Sequence, residues 1–417
     1  MFTQMLKVKM VLKVVLWALL LIVFLTAQEG IASDTTGVTD DEVRIGIFHS
    51  LTGPASVLGM PVMQCFMTII NQTNEAGRVH GRKVTIIAED DANNPEKAKA
   101  ATKKLIYSDK VFALSGSTST LGAWAAKPEI EGAKVPWLGG SAVMDKVYLP
   151  TFPTTFGLTS TASLTGRSML RFALSKPDVK KVVIVYHHDE WGKGHLDAAI
   201  AELEKEKTKK KVEWRLEVID RGITDASAAV LKIKNYNPDA VAVILYPQEG
   251  AIFVRDAYKY GLNIPLVLPP AANDLRVLRK RSGIPDSMKW VFVGLNATYC
   301  EATASDPKYA NINAALKKYY PQATVQNINT WGFAYGKIIV EVLKRSGRDL
   351  TREKFLDVLE NLKDFDTGVL SSKVSFSKSS HLADIDLVYL TLKRDETEYF
   401  LDRPEWDLNI MKKKNWE

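Results

Sequence analysis

Residues 43–53, Val-Arg-Ile-Gly-Ile-Phe-His-Ser-Leu-Thr-Gly, decide the fold. The run over 43–48 reads as a strand buried on both faces, as in a parallel sheet. It ends in Ser50-Leu51-Thr52-Gly53, and Pro54 opens the next segment. A strand that passes through a small-residue turn into a helix leaves unpaired backbone N–H groups at the helix start. Such groups receive anions. This stretch alone predicts a sheet whose strand ends cradle a small ligand.

The chain ahead of it reads as an export signal. Lys7, Lys9 and Lys13 form a positive region, and residues 14–27 are an apolar run short for a bilayer span. Cleavage is expected after Ala27 or after Ala32, so residues 1–32 are expected to be removed and the protein to be periplasmic. No cysteine lies near the cleavage region, which argues against a lipid anchor. The segment takes three lysines and one glutamate with it, so the formal charge falls from +7 to +5. A small, dispersed charge does not imply nucleic acid. Lys205 to Lys211 is the densest basic run, and it reads as a solvated helix end. Cys65 and Cys300 are the two cysteines. Export permits a disulfide between them, but nothing in the sequence brings their Cα atoms together, and Cys65 beside Phe66 and Met67 reads as a buried thiol.

From residue 43 onward, strand and helix signals alternate. Strands are expected at 43–48, 84–88, 111–114 and 135–138, with helices between them starting near Pro61 and Pro95. The alternation repeats with strands at 181–186, 212–219, 240–245, 266–268 and 290–293. Helices between strands mean parallel sheets covered on both faces, and two such series mean two doubly wound lobes in an α/β chain. A helical part comes next at 311–320, 330–345 and 351–361. Residues 374–376 and 387–392 read as a terminal hairpin.

Ligands of open parallel sheets bind at the carboxyl ends of strands. Three such ends share one chemistry: Ser50 to Gly53, Ser115 to Thr120, and Gly139-Gly140-Ser141-Ala142. Glycines let backbone amides approach a ligand, and the hydroxyls add donors. One such turn reads as helix capping, but three converging turns read as a carboxylate cradle. The second series offers His187 to Gly192, Tyr246 to Glu249 and Pro269 to Asn273 at its strand ends. Trp191 and Tyr246 would give an apolar wall, so the pocket fits an organic acid.

Enzyme readings find less support. His187 and His188 are adjacent and point apart, and no second ligand set has zinc spacing. Gly116 and Gly122 lack the lysine of a phosphate loop. There is no Gly-x-Ser-x-Gly elbow. Asp90-Asp91 reads as a helix-start cluster before Pro95 rather than an acid pair. No enzyme activity, cofactor or metal is expected.

With these residues in hand, the chain resembles the exported solute-binding proteins of branched-chain amino acid ABC transporters, the type I periplasmic binding fold. Ile45-Gly46 through Leu51-Thr52-Gly53-Pro54 is similar to the family opening. Ile70-Asn71, Gly81-Arg82-Lys83-Val84, Asp90-Asp91 and Pro95 come after it. So do Lys104-Leu105-Ile106, Asp109-Lys110-Val111, Val135-Pro136, Trp191-Gly192, Pro238-Asp239-Ala240 and 257–262, in the family's order. The resemblance implies two lobes joined by three crossovers, at 42–157 plus 297–370 and at 158–296 plus 371–417. It also implies the ligand contacts. Leu58 stands where an aromatic often covers the ligand. Thr118, Ser119 and Thr120 stand at the carboxylate turn, and Ser141, Ala142 and Val143 at a second cradle. Trp191 and Tyr246 take aromatic places, and Trp331 is the floor. The implied partners are membrane permease subunits and a small carboxylate, with the protein a monomer.

Two departures bear on the ligand. Val143 replaces a threonine that helps hold an amino acid's ammonium. The family's acidic residue near Pro270-Ala271 is missing here. A buried ammonium without a carboxylate is costly, although Glu249 and Asp274 are close in sequence and could substitute. The expected ligand is a carboxylate without an α-amino group, such as an aromatic acid. Two alternatives stay open: a branched-chain or other hydrophobic amino acid, and a sensor role in which the same fold presents its ligand to a regulator or chemoreceptor.

Overall fold

The computed structural model describes residues 34–402 except 54, 141, 159, 176–177, 208–210, 273–274, 286–289, 296–298, 300–304, 325, 327, 384–387 and 395–398. The expected export signal, Ser141, Asp274 and Cys300 lie outside the described residues. Cys65 is a buried thiol in the first lobe's core.

The alternating pattern produces two sheets. The first runs β2-β1-β3-β4-β5, made of β1 (Glu42–His49), β2 (Lys83–Asp90), β3 (Ala113–Gly116), β4 (Trp137–Gly139) and β5 (Thr155–Gly157). All its pairings are parallel. Of the three-residue β5 the sequence pattern gave no sign. The second sheet contains β6 (Lys181–Tyr186), β7 (Glu213–Val218), β8 (Ala240–Ile244), β9 (Leu266–Leu268), β10 (Val291–Leu295), β11 (Val388–Arg394) and β12 (Tyr399–Asp402). Its order is β12-β11-β10-β9-β8-β6-β7. The five strands β6 to β10 are parallel, while β11 and β12 add an antiparallel edge. Each sheet has a hydrophobic cluster on both faces, which is why its central strands carry near-continuous apolar runs.

The chain passes between lobes three times. It leaves the first after β5 and returns after β10, where Tyr299 joins the first core. It leaves again before β11. This last passage is later than the sequence boundary at 371 placed it. Val374 and Phe376 sit in the first core, Phe365 and Val374 form a bridge, and Leu382 bridges Gly157. The apolar residues at 374–376 therefore seal the first lobe rather than form a terminal hairpin. That hairpin is β11 with β12.

Helix positions explain the cleft. The helix Ser56–Glu75 begins before Pro61, because a proline near a helix start forfeits only one backbone bond. Gly59 makes the start possible, since a Cβ there would lie 2.1 Å from the Ser50 carbonyl oxygen. The helix Asn329–Ser346 crosses it through Gly332, where a Cβ would meet the Val62 carbonyl oxygen at 2.0 Å.

Asp91, fully buried, ties together the carboxyl ends of three adjacent strands. Ser50, just past β1, donates its hydroxyl to Oδ1 at 2.6 Å. Ser117, just past β3, donates to Oδ2. The Asn93 N–H beyond β2 donates to Oδ1 at 2.8 Å. Asp90 holds the same turn from outside, accepting the N–H groups of Leu51 at 2.8 Å and Ala92 at 2.8 Å. The two carboxylates thus fasten turns, and the cap of the helix Pro95–Lys103 is Asn94.

Unfolding measurements test both of these contacts. Asp91→Ala leaves two buried hydroxyls and an N–H without their acceptor, and should cost at least about 3 kcal/mol in urea unfolding; a loss under about 1 kcal/mol would show that the turns hold without it. Gly332→Ala overpacks the helix crossing and should cost about 1–3 kcal/mol, with a matching fall in Tm. An unchanged Tm would mean that the crossing can open.

Candidate functional site

The strand ends of the two sheets face each other across a cleft of about 470 Å³. On the first lobe, β3 leads into the turn Ser117-Thr118-Ser119 and then the helix Thr120–Gly132. Ser119 caps that helix, its Oγ accepting the Gly122 N–H at 3.1 Å. Ser117 Oγ accepts the Ser119 N–H at 2.8 Å, so the Asp91 network reaches the helix start. Thr118 Oγ1 accepts the Ser50 N–H at 3.3 Å. Thr120 Oγ1 accepts the Val143 N–H at 3.4 Å, joining the two cradle turns. The hydroxyls of Thr118 and Thr120, acceptors in these bonds, keep their own protons to donate, whereas that of Ser117 is committed to Asp91. Within the first helical turn, the N–H groups of Thr120 and Leu121 have no partner among the described residues, and both residues line the cleft.

The second lobe supplies a stack of rings. Trp191 and Tyr246 lie with centroids 4.2 Å apart and planes 29° from parallel. The Arg221 guanidinium covers the Tyr246 ring at 3.8 Å, and His195 packs on Trp191 at 4.4 Å. Both rings line the cleft. Trp191 is not in a strand-end loop as expected. It lies in the first turn of the helix Glu190–Lys207, and Tyr246 directly precedes the helix Pro247–Lys259.

Charge in this wall is paired, with one arginine serving two carboxylates, so the wall stays net negative. Arg221 Nη1 is 3.2 Å from Asp189 Oδ2, and its Nε is 3.7 Å from Glu249 Oε1. Asp189 Oδ1 accepts the Gly192 N–H at 2.8 Å, and Glu249 Oε1 accepts the Gly222 N–H at 2.9 Å. Buried His187 bonds the Ile219 carbonyl through Nδ1 at 2.7 Å, and its Nε2 accepts the Tyr246 N–H at 3.2 Å. That fixes it as a neutral ring although Glu249 Oε2 is 3.9 Å away, and burial holds its pKa low. His188 is exposed, so the pair does point apart. Burial, then nearby Asp189, pushes the Tyr246 phenol up to about 12. Burial holds His195 down to about 4.

Of the residues expected at the site, Leu58, Thr118, Ser119, Thr120, Val143, Trp191, Tyr246, Ala271 and Trp331 line this one cleft. Trp331 does so from the first turns of the helix Asn329–Ser346 rather than from a loop. Ala142 does not line it. Its methyl is fully buried in the cluster that holds Trp137, Val147 and Tyr148. Ser141 lies outside the described residues. The position of Ala271 brings no acid to the cleft, and Glu249 is engaged behind it, but Asp189 and Glu190 stand at its edge. Arg221 and His195 also line the cleft, and sequence reasoning missed both. His195 was findable, one helical turn beyond Trp191 on the same face. Arg221 was not, since it lies beyond β7, an edge strand, with no local motif.

Comparison with known proteins agrees with this architecture. A family profile described as "Periplasmic binding protein" matches residues 42–396. Leu/Ile/Val-binding protein homolog 3 of Brucella melitensis biotype 1 is 26% identical over 315 residues, covering 73% of this chain and 78% of the relative. Leu/Ile/Val-binding protein BraC3 of Rhizobium johnstonii is 26% identical over 237 residues, 54% of this chain and 60% of the relative. Among solved structures, the branched-chain amino acid transporter substrate-binding protein of Streptococcus pneumoniae in complex with isoleucine superposes with a TM-score of 0.71 at 20% identity, over 87% of this chain and 100% of that one. A solute-binding protein of an ABC transporter from R. palustris in complex with benzoate gives 0.70 at 17% identity, over 87% and 96%. The structural likenesses are of fold. The family match covers both lobes and the cleft between them, and the chain belongs to the periplasmic binding protein family, with the type I fold.

Proposed function

We propose that this protein captures a small carboxylate with an apolar or aromatic body and delivers it to the permease of an ABC importer. The observation that carries the reading is the contrast between the cleft's two walls. The first lobe offers donors: the hydroxyls of Thr118 and Thr120 and the helix-start N–H groups that have no partner among the described residues. The second offers aromatic and apolar surface from Trp191, Tyr246 and Ala271, with Leu58, Val143 and Trp331 completing the enclosure. An anion at one end and an apolar body at the other fit this polarity.

Capture requires no bond chemistry. The ligand binds first to the donor wall, and rotation of the second lobe then brings Trp191 and Tyr246 over it. Closure occurs because contacts with both lobes exist together only in the closed state. Docking of the closed form on the permease would release the cargo, with ATP hydrolysed by a separate subunit. Relatives described as Leu/Ile/Val-binding proteins support a second reading, a hydrophobic amino acid. Asp189 and Glu190 at the cleft edge could face its ammonium.

A thermal-shift screen separates the two. Benzoate-type and branched aliphatic acids should raise Tm, since ligand at about 100 times its Kd stabilises by about 2.7 kcal/mol. A large shift with leucine and none with the acids would hand the site to amino acids. With the ligand identified, Trp191→Ala should weaken binding about tenfold or more by calorimetry, through lost aromatic burial. Thr118→Ala should weaken it about tenfold through one lost bond to a charged group. Unchanged affinity in both variants would place the site elsewhere.

A further inference from the structure

His195 is a buried polar group of the cleft that the carboxylate reading leaves unused. It lies on the helix Glu190–Lys207 one turn beyond Trp191, it is 2% exposed, and it lines the cleft. Its Nδ1 is 2.8 Å from the Trp191 carbonyl oxygen. A carbonyl only accepts, so Nδ1 carries the proton and Nε2 presents a lone pair. Burial keeps the ring neutral near pH 7, against the raising effect of Asp145 and Asp189.

Nε2 has no hydrogen-bond partner among the described residues, and it is not among the side-chain atoms sealed from solvent. Its neighbours do not supply a donor. Thr165 also lines the cleft, but its hydroxyl donates to the Ser160 carbonyl at 3.5 Å. Trp191 meets His195 ring against ring. Buried acceptors in folded proteins are almost always paired. In the open cleft water can serve, but closure excludes water, and the donor must then come from the ligand.

We infer that His195 is a specificity-determining residue that accepts a hydrogen bond from a hydroxyl on the bound acid, so that the preferred ligand is a hydroxylated carboxylate. The inference rests on the carboxylate reading given above. A carboxylate and a hydrocarbon body have no donor of their own, which leaves a hydroxyl or an amine. A hydroxyl fits better, because an ammonium beside a neutral imidazole would need a carboxylate. Of the two carboxylates at the cleft edge, Asp189 has both oxygens engaged, by the Gly192 N–H and by Arg221, and Glu190 is exposed at the rim whereas His195 is buried.

Calorimetry on the purified protein tests this with matched pairs that differ by one hydroxyl. The pairs are benzoate against its 2-, 3- and 4-hydroxy derivatives, 4-methylpentanoate against 2-hydroxy-4-methylpentanoate, and phenylalanine against tyrosine, with leucine alongside. The hydroxylated member of at least one acid pair should bind about tenfold or more tightly. His195→Leu should erase that preference without weakening the parent acid, and His195→Gln, which restores an acceptor, should recover part of it. A preference that survives His195→Leu, or no preference in any pair, overturns the inference. If only amino acids bind, the carboxylate reading fails and the tyrosine pair still judges His195. A loss of leucine affinity in His195→Leu would then assign the acceptor to the ammonium and overturn the hydroxyl. Binding of no probe at all overturns both.

Discussion

One buried carboxylate organises the ligand-facing end of the first lobe. β2, β1 and β3 are neighbours in the sheet, and the residue after each strand's end is fastened to Asp91 or is Asp91 itself. A buried carboxylate is tolerated only when its oxygens are filled, and here two hydroxyls and an N–H fill them. Ser117 passes the constraint to Ser119, which caps the helix Thr120–Gly132. The position of the free N–H groups at that helix start is therefore set from the core. Donors aimed at an anion are useful only when they do not have to be reorganised on binding.

The opposite wall is built on another principle. Arg221, Tyr246, Trp191 and His195 form a column of stacked groups, each holding the next. Asp189 and Glu249 neutralise the arginine at its exposed end. The column gives an apolar surface, and on the proposed reading the first lobe would read the sign of the ligand and the second its shape. That division explains why the wall tolerates acidic residues at its rim. They are committed to the arginine and to backbone N–H groups, and Glu190 alone is exposed.

Most of this was legible because it is local. The continuous apolar run 240–245, and the apolar residues at every other position from Val43 to Ile47 followed by Phe48, mark central strands. Ser and Gly turns after them mark ligand-facing ends, since periodicity and turn chemistry are written in adjacent residues. The features that escaped depend on distant partners. The three residues of β5 have no pattern until β4 lies beside them. Ala142 sits in a cradle turn by sequence, yet its methyl faces the core that Tyr148 and Trp137 close. Residues 374–376 read as one arm of a terminal hairpin, but Phe376 packs edge-on against Phe156 and Leu382 bridges Gly157, which holds this stretch to the first lobe. Arg221 becomes meaningful only once Tyr246 is beneath it.

The junction between lobes links these two designs. Ala162, at the start of the second lobe's first helix, donates its N–H to the Val143 carbonyl at 2.6 Å. Ser163 donates its N–H to Asp145 at 3.3 Å and also its hydroxyl. Tyr335 accepts the Leu158 N–H at 3.3 Å and donates its hydroxyl to the Gly139 and Gly140 carbonyls. All these bonds end on or beside the turn 139–145, which Thr120 holds through Val143. Any rotation of the second lobe about this crossover must therefore turn on bonds anchored in the cradle itself. One turn thus carries both the junction bonds and the proposed anion cradle, so on that reading a ligand seated on the donors would meet the second lobe along a path fixed by the residues that hold it.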